Sequence, residues 1–131
     1  MFRNISLLAL LVVAVVGVTA IHPQAASQLS PLTRINNLTF SKAVMLPGIT
    51  LPAGTYVFES GPGGTNPNIV RVMSQNRQKL YYLGFTNPIV RPWGHEPSVL
   101  TFGEAANGAA APILAWYPVG SNQGHEFLYR Q

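Results

Sequence analysis

The residues best suited to chemistry in this 131-residue chain are two copies of the tripeptide Gly-His-Glu. The first copy contains His95 and Glu96, and the second contains His125 and Glu126. Imidazole nitrogen and carboxylate oxygen both bind zinc, so two such pairs brought together could hold one ion. Neighbouring side chains on a strand point to opposite faces, so neither pair can bind an ion alone. These four residues are weak metal-ligand candidates, and no metal or other cofactor is expected.

His125 also has a purely structural interpretation. In a strand it shares a face with Phe127 and Tyr129, both of which are typical core residues. We therefore expect a partly buried imidazole that is hydrogen bonded to the backbone.

Other forms of catalysis find little support in the sequence. Cysteine and aspartate are absent, so a serine-histidine-acid triad would need a glutamate as its third member. The four glutamates lie far apart along the chain, and no G-x-S-x-G motif is present. The sequence therefore predicts a protein that is not an enzyme.

Trp93 is the aromatic residue most suited to contacting a ligand. It stands between Pro92 and Gly94 in a proline-rich segment, where an exposed indole could stack on a sugar ring. Aromatic residues on strands usually fill the core, but a loop tryptophan is less easily buried. A carbohydrate-binding module is therefore an alternative function, with polysaccharide as the partner.

The charge pattern argues against nucleic-acid binding. Charged residues make up 9% of the chain, against roughly 25% in typical soluble domains, and the net charge is +4. The basic residues are scattered, whereas a nucleic-acid surface needs them clustered along one face. No nucleic-acid partner is expected.

The first twenty residues have the form of a secretory signal peptide. Arg3 precedes the apolar run 5–20, which ends in Val-Thr-Ala. Sixteen residues of helix span about 24 Å, which is short for the roughly 30 Å core of a bilayer. We expect residues 1–20 to be removed and the protein to be secreted or placed at the cell surface or in the periplasm. It would contact a membrane only through this segment, if uncleaved.

The rest of the chain predicts an all-β domain. Short apolar runs alternate with Gly, Pro and Asn, and no long window has a helical period. The predicted strands are 38–41, 54–60, 69–74, 79–85, 98–102, 113–117 and 126–129, with a short extra strand at 43–46. This number favours a single small β-sandwich or barrel of about 7–8 short antiparallel strands over residues 38–131. Tyr56 and Phe58 are predicted core residues.

The segment 21–37 is polar, contains two prolines and is predicted to form an extended N-terminal arm. Leu29, Leu32, Ile35 and Leu38 give it apolar anchors, so it could add as a strand to the sheet of a neighbouring copy. A flexible linker is the competing interpretation. With few charges to oppose contact between copies, a homo-oligomer or polymer is the expected assembly.

Several motifs resemble a group of small exported β-proteins from environmental bacteria that mostly have no assigned function. The matching segments are FSKAVMLPGITLPAGTYVF, NIVRVMS, AWYP and GHEFLY, which lie within residues 40–131. The resemblance implies a β-sandwich fold and export, and it assigns no catalytic residue. This chain differs from the group by placing Val119 between Pro118 and Gly120 and by ending in Tyr-Arg-Gln.

From these observations we expect a non-enzymatic exported structural or interaction protein of the cell surface. It would self-assemble into a fibre by donor-strand addition of the N-terminal arm. The alternatives are a carbohydrate-binding module and a metal-assisted envelope enzyme.

Overall fold

The computed structural model describes residues 33–93 and 98–131, and these residues form an all-β domain, as predicted. A short 3₁₀ turn at Pro62–Gly64 lies between the fourth and fifth strands. The nine strands are β1 Arg34–Phe40, β2 Val44–Leu46, β3 Ile49–Leu51, β4 Gly54–Ser60, β5 Ile69–Ser74, β6 Leu80–Val90, β7 Leu100–Phe102, β8 Ala111–Trp116 and β9 Gln123–Phe127.

Some predicted features lie outside the described residues. These are the signal peptide at 1–20, the arm residues Leu29 and Leu32, and the first histidine-glutamate pair, His95 and Glu96. The predictions for these residues stay predictions.

The strands belong to one open, continuous sheet rather than to two separate sheets. Its order is β1-β4-β5-β6-β9-β8-β2-β3, with β7 paired to the other edge of β8. The long strand β6 joins two halves, because its first part pairs with β5 and its last part pairs with β9. The prediction of antiparallel pairing is wrong for β2 and β8, which run parallel.

The two halves of the sheet pack face to face around one core. Phe58 of β4 contacts Trp116 of β8 edge to face, with ring centroids 5.6 Å apart. Tyr56 and Phe58 are buried, as predicted, and both belong to the core cluster. Opposed residues in an antiparallel pair share a face, so the register identifies the inward positions of every neighbouring strand.

The Leu-Pro-Gly motif forms a β-hairpin that the sequence did not predict as two strands. Pro47 and Gly48 make the turn between β2 and β3, and Gly48 has a φ of 77° that suits glycine. Leu46 ends β2 and Leu51 ends β3, and both are fully buried. The hairpin therefore contributes two side chains to the core. Strand β3 is too short for its sequence to show a clear alternation of apolar and polar residues.

The predicted boundary between arm and domain is wrong. Strand β1 begins at Arg34, and residues 34–40 pair with β4 of the same chain. Two predicted arm anchors, Ile35 and Leu38, are thus in the chain's own sheet, opposite Glu59 and Tyr56. Residues 34–37 form the polar end of the inward face of β1. Their sequence therefore lacks the apolar alternation that predicts a strand.

The predicted strand 79–85 also ends too early. Strand β6 continues through Pro88 to Val90, where it pairs with β9. After Thr86 the register gives β6 a neighbour on one edge only, so a proline without an N–H group is tolerated there.

Candidate functional site

A polarity gradient along the inward faces marks one end of the core. Along β1 the inward residues change from Phe40 and Leu38 to Asn36 and Arg34. Arg34 is exposed and Asn36 is partly buried, so the polarity rises where the strand leaves the core and reaches solvent. The gradient points to a site at this end.

The same change occurs in the strands that face β1 and its neighbour. In β4 the inward series is Tyr56, Phe58 and then Ser60. In β9 the series runs back from Phe127 through His125 to Gln123. Polar groups from both halves of the sheet therefore meet at one end of the core.

These residues line a cleft of about 290 Å³ between the two halves. One wall is formed by Arg34 and Ser60, which are opposite each other in β1 and β4. The other wall contains the cross-strand pairs of β6 and β9. The polar side chains that line the cleft are Arg34, Ser60, Asn68, Ser121, Gln123 and His125. The remaining surface consists of Gly124 and of Pro67, Pro88, Ile89, Val90 and Pro118.

His125 has a defined orientation in this cleft. The Thr86 hydroxyl donates its one hydrogen to the carbonyl of Asn68 at 2.8 Å. The Nδ1 atom of His125, 3.1 Å from the same hydroxyl, must therefore be the donor in their hydrogen bond. The neutral ring carries its proton on Nδ1, and Nε2 is an acceptor.

The surroundings of His125 favour its neutral form. The imidazole stacks on Trp116, with ring centroids 5.4 Å apart. Burial lowers the pKa of His125 below its ordinary value of 6.5 because desolvation disfavours the charged ring. The ring is half-buried as expected, but its partner is a side-chain hydroxyl rather than the backbone.

Asn36 holds the wall of the cleft together. Its Oδ1 atom accepts hydrogen bonds from Nε1 of Trp116 at 3.1 Å and from the backbone N–H of Val119 at 3.0 Å. These bonds connect β1 to the end of β8 and to the loop that follows. Trp116 is fully buried and contacts His125, so this network fixes the indole on which the imidazole rests.

The structure does not bring the second histidine-glutamate pair together. His125 points inward to Thr86, while Glu126 is exposed and accepts a hydrogen bond from Asn87 on the outer face. Within the described parts of the chain, no group of three or more His, Cys, Asp or Glu side chains could hold a metal ion.

The cleft also lacks the carboxylates that acid-base catalysis usually needs. Among the residues described by the structure, no glutamate lines it. Glu59 lies on the outer face, with its Oε2 atom 2.6 Å from Nη2 of Arg71 and 3.6 Å from Nη1 of Arg77. What the cleft offers chemically is a set of neutral hydrogen-bonding groups, one cation and several apolar surfaces.

Trp93 is fully exposed, as its place in a proline-rich segment suggested. It lies three residues beyond Val90, which lines the cleft. Three residues of extended chain cover at most about 11 Å, so the backbone of Trp93 lies within that distance of Val90. Arg91 lies two residues before Trp93. Its guanidinium group stacks on the Tyr117 ring, 4.5 Å from the ring centroid, and anchors this segment.

A second feature is the apolar outer face of β5 and β6. Leu80, Leu83 and Phe85 are 50%, 56% and 63% exposed. Their cross-strand neighbours are Met73, Arg71 and Ile69. No described residue covers these three side chains.

No protein-family model, curated protein or solved structure matches this chain. The resemblance of residues 40–131 to small exported β-proteins therefore stays a prediction. Over residues 33–93 and 98–131, the structure contains no helix of the length and apolarity that crossing a bilayer requires.

Sequence reasoning missed most of the cleft. Arg34 lies in the predicted arm, and no sequence motif marks Ser60 or Gln123. A signal was present, because every second residue of RINNLTF and of QGHEF becomes more polar towards one end. Recognising it requires knowing which ends of the strands meet, and that depends on the topology.

Proposed function

We propose that this protein is a non-enzymatic exported interaction protein of the cell surface that associates with copies of itself. The observation that carries the proposal is the apolar outer face formed by Leu80, Leu83 and Phe85. Contiguous exposed apolar side chains on a small domain commonly mark a protein-protein contact. Signal-like residues 1–20 support export.

A second copy is the partner that fits this face. A two-fold axis through the face would place the same apolar row of both copies together, as in most homodimers. The chain carries few charges, so little repulsion opposes the contact. Glu59 pairs with Arg71, which lies beside Leu83, and so offsets part of the positive charge that borders the row.

The size of the face predicts a weak association. Full burial of a leucine or phenylalanine contributes about 1.5–3 kcal/mol, and these side chains are already about half buried. Six such side chains in a dimer would contribute roughly 5–9 kcal/mol, against an association cost of about 4–15 kcal/mol. The most favourable balance leaves about 5 kcal/mol, so we expect a Kd of about 0.2 mM to 1 mM. Donor-strand addition by residues 21–32 would tighten it and extend a dimer into a fibre.

Sedimentation velocity of the exported chain over a range of concentrations tests this proposal. The wild-type protein should associate, the double variant Leu83→Ser/Phe85→Ser should be monomeric, and removal of residues 21–32 should abolish fibres. Leu114→Ser/Leu128→Ser is the matched control, since it alters two similarly exposed leucines elsewhere. A monomer up to about 1 mM, or association unaffected by the first double variant, would refute the proposal.

A further inference from the structure

We propose that the cleft between the two halves of the sheet binds a ring of an uncharged saccharide, while the indole of Trp93 stacks on a neighbouring ring. This inference goes beyond self-association and rests on other residues. The ligand would bind at the polar end of the core, and the apolar outer face would take no part in binding it.

The size and lining of the cleft fit a sugar ring. Its volume of about 290 Å³ is at the small end for ligand sites, and its walls combine apolar surfaces with a few polar groups. A pyranose has the same mixture, since its C–H faces are apolar and its edge carries hydroxyls. Pro88 and Pro118 offer flat apolar contacts, and Ser60 and Gln123 offer hydrogen bonds.

The charges of the cleft argue against other ligand classes. A cationic ligand would need a carboxylate, and no described glutamate lines the cleft. A phosphorylated ligand usually has several cationic partners, whereas Arg34 is the one Lys or Arg among the lining residues that the structure describes. A wholly apolar ligand would cover polar side chains of the lining, such as Ser60 and Gln123, without offering them hydrogen bonds.

His125 completes the recognition of a hydroxyl-rich ligand. Its Nδ1–H group is committed to Thr86, so Nε2 is available to accept a hydrogen bond from a sugar hydroxyl. The side-chain amide of Gln123 both donates and accepts. A hydroxyl group also donates and accepts, so sugar hydroxyls match this mixed set.

The full exported chain is titrated with cellotetraose, chitotetraose and xylotetraose by calorimetry and by tryptophan fluorescence. Trp116 is fully buried and Trp93 is fully exposed, so a ligand that stacks on Trp93 should change the emission of the exposed indole. We expect at least one probe to bind with a Kd between about 10 μM and 1 mM.

Substitutions of two residues locate the binding. Trp93→Ala should weaken it about tenfold, and Trp93→Phe should restore part of the loss because it keeps an aromatic ring. Gln123→Ala should weaken it about fivefold by removing a hydrogen bond to the ligand. Gln78→Ala is the matched control, since this exposed glutamine lies at the opposite end of the sheet.

Absence of binding by all three probes would overturn the proposal. Binding that is insensitive to Trp93→Ala would do so too, as would binding that depends on Trp93 but not on Gln123, because the cleft would then contribute nothing. The association variant Leu83→Ser/Phe85→Ser should bind the saccharide normally, which keeps the two proposals separately testable.

Discussion

Replacement of Asn36 by alanine tests how the polar end of the core is built. Its Oδ1 atom accepts from the Trp116 indole at 3.1 Å and from the Val119 N–H at 3.0 Å. Asn36→Ala removes this acceptor and leaves both donors without a partner. Asn37 lies beside it on the opposite face and is exposed, so Asn37→Ala is the matched control.

The expected loss of stability follows from the burial of the two donors. Trp116 is fully buried, so its unpaired Nε1–H group costs about 1–3 kcal/mol. Val119 is 67% exposed, and water can replace the lost bond there at a cost of about 0.5 kcal/mol or less. We expect Asn36→Ala to lower the free energy of unfolding by about 2 kcal/mol and Tm by about 8–16 °C. Asn37→Ala should change it by less than about 0.5 kcal/mol.

Urea unfolding followed by tryptophan fluorescence measures both variants. The chain has two tryptophans, so a Trp93→Phe background leaves Trp116 as the single reporter, at the site of the change. Asn36→Asp keeps an acceptor oxygen and should lose less stability than Asn36→Ala. Equal stabilities of Asn36→Ala and Asn37→Ala would refute the network and the assignment of β1 to the core.

Two further predictions concern the charged groups. Glu59→Gln should destabilise the fold by about 2 kcal/mol, because the carboxylate is buried beside Arg71, whose partial exposure reduces the cost of breaking the pair. Chemical denaturation should show almost no change for the exposed control Glu126→Gln, and equal effects would contradict the assignment. Because burial lowers the pKa of His125, its contribution to stability should be complete above pH 6.5 and decline as the pH falls below that value. The decline in Tm below pH 6.5 should be shallower in His125→Gln, and an unchanged slope would count against a neutral buried ring.

The fold class and the central strands could be predicted from local sequence patterns. Strands β4 and β5 were predicted with the bounds that the structure shows, because each has a strong apolar run between clear turn signals. The alternation in β4 also identified Tyr56 and Phe58 as core residues. These features are local, since they depend on neighbouring residues in the chain.

The bounds of β1 and β6 were decided by tertiary contacts. Residues 34–37 look like a linker because Arg34 and Asn36 are polar, yet they complete the sheet next to β4. Pro88 looks like a strand breaker, yet β6 continues past it because only β9 pairs there. In both cases the partner strand, and not local propensity, sets the outcome.

The candidate site was the least predictable part, for a physical reason. The sequence indicates His125 and Trp93 as individual candidates. Arg34, Ser60 and Gln123 become candidates only because β1, β4 and β9 bring them to the same end of the core. Residues from distant parts of the chain meet there because the long strand β6 joins two halves that pack on each other. Local periodicity tells which side chains share a face, whereas only the folded sheet determines which faces and ends come together.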